Sequence, residues 1–584
     1  MSARGVRVLA LIGLLSSIAA PAAPVRLFPQ APVAITNSAP GLVAVDFGRV
    51  AFGNLRLTPP PGATGTVTVH FGEASAAGRI NRQPPGTVRY ARAEVALQGE
   101  TPVVVAPPAD KRNTTHPSAV RTPADWGVVL PFRWVEIEGW PGPLRAGQIT
   151  RQAAFASTWD DAAAAFSSSD PVLDQVWDLC RYSIKATTFC GVYVDGDRER
   201  IPYEADAYLN QLGHYACDPD PQMARDTFDY LMKKPTWPTE WAFHLIFIAH
   251  ADWRQTGDAA WLAARYASLK PKLLRERVRE DGLLVSPPAA VKRDDIVDWP
   301  AAERDGFVHR PVNTVVNAFH IRALALMAEL ATALGQADEA RDFAASERRS
   351  RAAFQAQLFD PARGLYRDGE GTEHASLHAN LFPLAFGLVP AEARAGVVQW
   401  LAGRGMACSV YAAQYLLEGL FEHGADREAL ALMLAPGDRS WRHMLASGTT
   451  ITWEAWDQKY KPNQDWNHAW GAAPANLLPR YVLGIRPREP GWTRALIRPQ
   501  PAGLARAAGR VPTPRGPIEV AWTTNAGFRL ELTLPDGVPA RVELPASASS
   551  AGVWVNGRPA PATRTDGWWA LRDDLRGRGV VEVR

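Results

Sequence analysis

The stretch from residue 170 to residue 481 constrains the fold most, because apolar residues recur there at spacings of three and four, segment after segment. Val172, Val176 and Leu179 open the pattern, and Ala323, Leu326 and Leu330 repeat it near the middle. That period predicts twelve helices, near 170–188, 203–217, 220–233, 239–256, 258–280, 312–335, 337–358, 373–386, 391–403, 407–422, 424–434 and 466–482. Their connections are short or carry Pro and Gly, so consecutive helices should pair antiparallel as six hairpins. The expectation is one closed ring of hairpins over 170–485, an all-α six-hairpin (alpha/alpha) toroid.

The flanking text has a different period. Short alternating stretches such as 66–71 and 133–137 lie between Pro and Gly turns before residue 155, and strands return after Gly491 at 518–522, 528–534 and 553–555. A chain of 584 residues is too long for one ordinary core. The expected order is therefore an N-terminal β-sandwich at 25–155, the toroid at 165–485 and a C-terminal β-sandwich at 486–584.

Arg4 and Arg7, the apolar run 8–18 and Ala20-Pro21-Ala22 read as a signal peptide over 1–22. The apolar run is too short for a permanent transmembrane helix, so the expectation is a secreted or periplasmic protein with no stable membrane insertion after cleavage. Four cysteines, Cys180, Cys190, Cys217 and Cys408, are no disulfide framework for such a chain; one bridge, Cys180 to Cys190, or buried free thiols would both fit. The 63 basic and 60 acidic side chains nearly cancel without long runs of one sign. Nothing in that balance favours nucleic acid or an anionic membrane, and a neutral or weakly charged substrate fits better.

Two polar clusters carry the chemistry. DGDRERIPYEADAYLNQ, 195–211, puts Asp195, Asp197, Glu199, Glu204 and Asp206 among Arg198 and Arg200. Pro202 should occupy the first turn of a helix, which leaves 195–200 in the loop before it, at one rim of the helical domain. Flanking Val192, Tyr193, Tyr203, Tyr208 and Leu212 imply enclosure, where charges without a task would be costly. These groups can serve as acid, hydroxyl acceptors and charge partners. SGTTITWEAWDQKYKPNQDWNHAWG, 447–471, sets Glu454 between Trp453 and Trp456, with Trp466, His468 and Trp470 downstream. Sugars need that combination, since their CH faces stack on rings while their hydroxyls bond carboxylates. His468 fits a core histidine or a hydroxyl binder better than a catalytic base.

A third set, Trp237, Glu240, Trp241, Asp294, Asp295, Asp298, Trp299 and Asp305, would line the same cavity if the ring closes. Asn313, Asn317 and His320 share a helix face, where capping or packing explains them almost as well. No HExxH or CxxC…CxxC spacing, GxSxG elbow or phosphate loop is present, so neither metal nor cofactor is expected. Two carboxylates across a cavity remain the natural apparatus.

Over most of its length the chain resembles glycoside hydrolase family 78, the α-L-rhamnosidases. Glu199-Arg200 followed seven residues later by Asp206 matches that family's loop, with Asp195 near its first aspartate and Gly196-Asp197 in place of the familiar Cys-Pro. Trp453-Glu454 and Asn467-His468 look like its late Trp-Glu and Asn-His, and Val297-Asp298-Trp299 is similar to its Gly-Asp-Trp. VDFGRVAFGNLRL, HFGEA and FRWVEIEGWPG look like its preceding β-sandwich. The resemblance implies an exo-acting, inverting hydrolase that releases terminal L-rhamnose, with Glu199 as general acid and Glu454 as general base. Asp195, Asp197, Arg198, Asp206, Trp237, Trp241, Asp298, Trp299, Trp453, Trp456 and His468 would then bind substrate. Open alternatives are another toroid exo-glycosidase, a polysaccharide lyase using Tyr203, His214 or His468, and an inactive carbohydrate-binding protein. The aglycone and the oligomeric state are not specified by the sequence.

Overall fold

The computed structural model describes residues 24–525, 527–547 and 550–584, so the expected leader at 1–22 lies outside the described residues. The middle of the chain is helical: α1 Pro171–Ala186, α2 Glu204–Cys217, α3 Gln222–Lys233, α4 Trp241–Thr256, α5 Ala259–Leu269, α6 Thr314–Ala333, α7 Ala337–Leu358, α8 His378–Ala385, α9 Ala391–Arg404, α10 Val410–Glu422, α11 Asp426–Met433, α12 Trp441–Ala446 and α13 Pro474–Leu477. Eleven of the expected segments coincide with α1 to α11. The fifth stops at Leu269 because Pro271 follows, and its remainder forms 3-10 turns. The last shrinks to α13 and a π turn, Leu478–Val482, where Pro474 and Pro479 interrupt the ladder. The short α12 carries too few residues to show a period and was not anticipated.

The helices alternate between buried and exposed. α2 buries twelve of its fourteen residues and α7 only four of its twenty-two, so even-numbered helices from α2 to α10 form an inner layer and their successors an outer one. Within the inner layer α2 packs on α4, α4 on α6, α6 on α8 and α8 on α10, while α13 touches both α10 and α2. Local chemistry fixes several starts: Asp170, Asp258, Asn313, Ser409 and Ser440 each accept backbone N–H bonds as N-caps. α6 is long and apolar enough to cross a membrane, but 78% of its apolar window is buried within the protein. Its apolarity belongs to the core.

Where a β-sandwich was expected, eight N-terminal strands form one antiparallel sheet and Ser75–Ala76 pairs with Arg79–Ile80 as a separate hairpin. The strand Leu42–Leu57 loses register with Leu130–Glu138 between Asp46 and Ala51. Its first part pairs with Ala34–Ala39 and its last with Ile149–Ala156 and Val103–Val105, so one bent strand serves both halves. The C-terminal strands form a seven-stranded and a five-stranded sheet. Val520, Trp522, Leu530, Val542 and Leu544 from these sheets join the same apolar core as the helices. The chain enters the larger sheet before its first helix, since Ala165–Ser168 pairs with Arg506–Val511. All four cysteines are buried and free, and no Cys180–Cys190 bridge forms.

Candidate active site

The loop between α1 and α2 carries the first polar cluster, and three parts of the chain hold it. Pro202 lies just before the helix rather than in its first turn; Tyr203 is the N-cap and Glu204 the first helical residue. Gly196 has φ of 117°, and a Cβ there would lie 2.8 Å from the Asn467 carbonyl oxygen, so only glycine fits. The Asp195 carboxyl accepts from the Ile201 N–H at 2.9 Å and closes the loop on itself.

Asp197 turns away from the cavity. Its carboxylate takes Arg200 at 2.7 Å and Arg89 of the N-terminal region, and its own N–H donates to Asn467 at 2.7 Å. Burial pushes the Asp197 carboxyl up, but the two guanidiniums outweigh burial and hold it below its ordinary value. Asn467 in turn donates to Glu73 at 2.8 Å, and the Thr87 hydroxyl donates to Asp465 at 2.7 Å. Burial pushes Glu73 up to about 7. The N-terminal segment therefore clamps both polar clusters, a role invisible in the sequence because the partners lie hundreds of residues apart.

A cavity of about 260 Å³ opens beside this clamp, lined by Asp195, Arg198, Glu199, Asp206, Trp237, Trp241, Trp299, Glu454 and His468, with Tyr203, Ile296 and Trp470 in addition. Arg198 is its pivot. One terminal nitrogen donates to Glu454 Oε1 at 2.9 Å and the other lies 3.6 Å from Glu199 Oε1. A single planar guanidinium spans the gap, so those two oxygens are at most about 9 Å apart. The carboxylates differ in setting. Glu199 is 35% exposed and accepts from the Tyr203 hydroxyl at 2.7 Å. Glu454 is 2% exposed, accepts from the Asp465 N–H at 3.1 Å and lies 3.3 Å from Lys461 Nζ.

Behind them Asp206 meets His468 Nε2 at 2.6 Å. Burial pushes Asp206 up to about 8 and His468 down to about 3, so near neutrality a protonated carboxyl faces a neutral imidazole. Burial also raises Asp195 well above its usual range, with the charges of Glu199 and Asp465 adding to it. Ligand atoms of Glu454, Asp465 and His468 lie within 4.8 Å of one another. Arg198 and Lys461 already supply positive charge at Glu454, which disfavours a metal ion there.

Flat apolar faces complete the walls. Tyr203 stands edge-on to Trp237 and Trp241, with ring centroids 5.9 and 5.8 Å apart. Trp237 is 52% exposed and Trp299 37%, unusual for residues of this size and suited to stacking on a ligand.

Four expected binding residues do not line the cavity. Asp197 is consumed by its two arginines. Asp298 is fully buried and accepts from His378 at 2.6 Å, the Ser409 N–H at 2.9 Å and the Trp299 N–H at 2.8 Å, so it anchors the Trp299 loop to α8 and α10. Trp453 stacks on Trp466 at 5.0 Å, and Trp456 donates to the Cys408 carbonyl at 2.7 Å. Of the wider set, Glu240 caps the Val297 N–H, Asp294 pairs with Arg293, Asp305 accepts from the Leu377 N–H, and Asp295 accepts from Asn313 at 2.9 Å. Asn313 caps α6, Asn317 bonds the Leu284 backbone, and His320 is buried: the capping and packing reading holds.

The chain matches the bacterial α-L-rhamnosidase six-hairpin glycosidase domain over residues 161–482, more than half its length. It belongs to that family. Residues 484–558 match the bacterial α-L-rhamnosidase C-terminal domain. An α-L-rhamnosidase of Alteromonas sp. (strain LOR) is 28% identical over 461 residues, 72% of this chain and 48% of the relative. The chain spans about half the length of the curated relatives it matches. Its fold is that of the α-L-rhamnosidase of Dictyoglumus thermophilum, with a TM-score of 0.78 at 17% identity, covering 96% of this chain and 64% of that one. A Streptomyces avermitilis α-L-rhamnosidase complexed with L-rhamnose also gives 0.78, at 19% identity, over 96% and 54%.

Proposed function

We propose that this six-hairpin glycosidase is an exo-acting α-L-rhamnosidase working by inversion, with Glu199 as acid and Glu454 as base. The observation that carries the proposal is the Arg198 bridge, which ties two carboxylates of unlike exposure to one aromatic-walled cavity. An inverting pair stands about 6.5 to 9.5 Å apart to admit a water beside the sugar, and the reach of one guanidinium is compatible with that range. Glu199, the more exposed, suits the mouth, where an aglycone departs; Glu454, buried between cations, suits the enclosed side where only a water fits. Asp195, Asp206 and His468 would take the sugar hydroxyls, with Trp237, Trp241 and Trp299 against its faces. The packing of α13 on both α2 and α10 supports closure of the hairpins into a toroid around this cavity. The leader-like residues 1–22 support export to the periplasm or beyond.

The lyase alternative loses two of its three candidate bases, and the third, His468, is already bonded to Asp206 at 2.6 Å. Burial and neighbouring carboxylates raise the Tyr203 hydroxyl, which donates to Glu199, and His214 is bonded to Tyr193 at 2.6 Å outside the cavity. The test is the hydrolysis of p-nitrophenyl α-L-rhamnoside and of natural rhamnosides, with the first-formed anomer read by NMR. Glu199→Gln and Glu454→Gln should each lower the rate on a natural substrate by roughly 10² to 10⁴-fold. Glu199→Gln should be partly rescued by the nitrophenolate leaving group, and Glu454→Gln by azide, giving a glycosyl azide of inverted configuration. Full activity in both variants, or a first product of retained configuration, would refute the assignment.

A further inference from the structure

Ile296 and Trp299 line the catalytic cavity, and the backbone between them bends where bending is costly. The Asp298 N–H donates to the Ile296 carbonyl at 2.6 Å across Val297, whose φ is 65°. A bond to the second residue back, closed over a central residue at positive φ, is the strained form of the γ-turn. Val297 is also the one β-branched residue in the left-handed region among the described residues. Its branched Cβ makes that region least accessible, so the conformation persists only where the surroundings impose it.

The far end of the turn is fixed by Asp298, which accepts from His378 at 2.6 Å and from the Ser409 N–H at 2.9 Å. The near end is the peptide joining Ile296 to Val297, and its N–H donates to the Glu240 carboxyl. The orientation of that peptide sets φ of Val297. Glu240 is 1% exposed, does not line the cavity and takes no part in proton transfer. Burial, with the charge of Asp295 adding to it, raises its carboxyl above the ordinary range, the mark of a group kept in the interior at a cost. A second link runs beside it, since the Thr239 N–H donates to the Asp294 carbonyl at 2.9 Å. Thr239 and Glu240 lie between Trp237 and Trp241, which form the opposite part of the cavity lining.

We propose that Glu240 is a positioning residue: by holding the γ-turn at Val297 it sets the wall of Ile296 and Trp299 against the wall of Trp237 and Trp241. The proposal rests on the reading of this cavity as the sugar site. Glu199 and Glu454 belong to other segments, so the brace bears on how substrate is held and not on proton transfer.

The experiment measures kcat and KM on p-nitrophenyl α-L-rhamnoside beside hydrogen exchange, read by mass spectrometry, over residues 294–299. Strain of this kind is worth roughly 10- to 100-fold in a conformational equilibrium, and apparent affinity falls with the fraction of chains that keep the wall in place. Glu240→Ala should therefore raise KM roughly 10- to 100-fold, hold kcat within about threefold and speed exchange over 294–299. Glu240→Gln keeps an accepting oxygen and should lose far less. Glycine adopts a φ of 65° without penalty, so adding Val297→Gly to Glu240→Ala should recover most of the lost KM. A general loosening of the core would gain nothing from that glycine. An unchanged KM in Glu240→Ala, a fall in kcat as large as the rise in KM, or no recovery in the double variant would overturn the proposal. Rapid exchange over 294–299 in the unaltered protein would overturn it as well, and that arm needs neither a folded variant nor a substrate. Absence of rhamnoside hydrolysis by the unaltered protein would refute the rhamnosidase reading alone, with the exchange of Glu240→Ala against the unaltered protein then deciding the brace.

Discussion

Replacing Arg198 by methionine removes the cation that bridges the two carboxylates while keeping an unbranched side chain in its place. Glu454 then faces Asp465 with only Lys461, 3.3 Å away, to offset the negative charge. Breaking a buried ion pair by removing one partner costs about 3 to 5 kcal/mol. Arg198 keeps 17% of its side chain exposed and Lys461 remains, so the lower end applies. At 1.36 kcal/mol per factor of ten, a loss of that size is about 100-fold. Without the guanidinium the negative charges of Glu454 and Asp465 repel and nothing ties Glu454 to Glu199 across the cavity, so kcat should fall about 100-fold and the fold should lose a comparable margin. The assay is kcat and KM on p-nitrophenyl α-L-rhamnoside beside denaturant unfolding, with Arg198→Lys as the variant that keeps the charge and loses the fork; it should lose less in both. Unchanged kcat and unchanged stability in Arg198→Met would refute the reasoning.

Two further perturbations separate chemistry from architecture. Asp206 is pushed up to about 8 in the folded protein against an ordinary 3.8, so the folded state binds more protons between those values and stability falls as pH rises from about 4 to about 8. Asp206→Asn can still donate to His468 and cannot ionise; its melting temperature should gain on the unaltered protein steadily across that window, and parallel curves at pH 4, 6 and 8 would refute the assignment. Asp298→Ala strands the His378, Ser409 and Trp299 donors in a dry interior and should cost about 3 kcal/mol or more in denaturant unfolding, with Asp298→Asn partly restoring it. A raised KM with unchanged stability would instead return Asp298 to the substrate-binding set.

Period alone determined the helical middle of this chain, because an inner helix such as α10 must turn an apolar face to its neighbours whatever they are, and that demand is written at every third and fourth residue. The two polar clusters were legible for a related reason: charges packed among tyrosine and tryptophan in so few residues signal enclosure before any contact is known. Sequence could not separate Glu199, which lines the cavity, from Asp197 two residues earlier, which is bound to Arg89 and Arg200. Nor could it separate Trp299 at the cavity wall from Trp456 in the core, since both are tryptophans beside carboxylates. Which of two adjacent charges faces a ligand depends on loop backbone angles and on partners such as Glu73, Thr87 and Arg89, supplied from the distant N-terminal sheet region. Those partners meet the loop only after the chain has folded. Local pattern is set by the solvent each residue must avoid, whereas the aim of a side chain is set by the groups that tertiary packing brings to it, and only the folded structure holds that information.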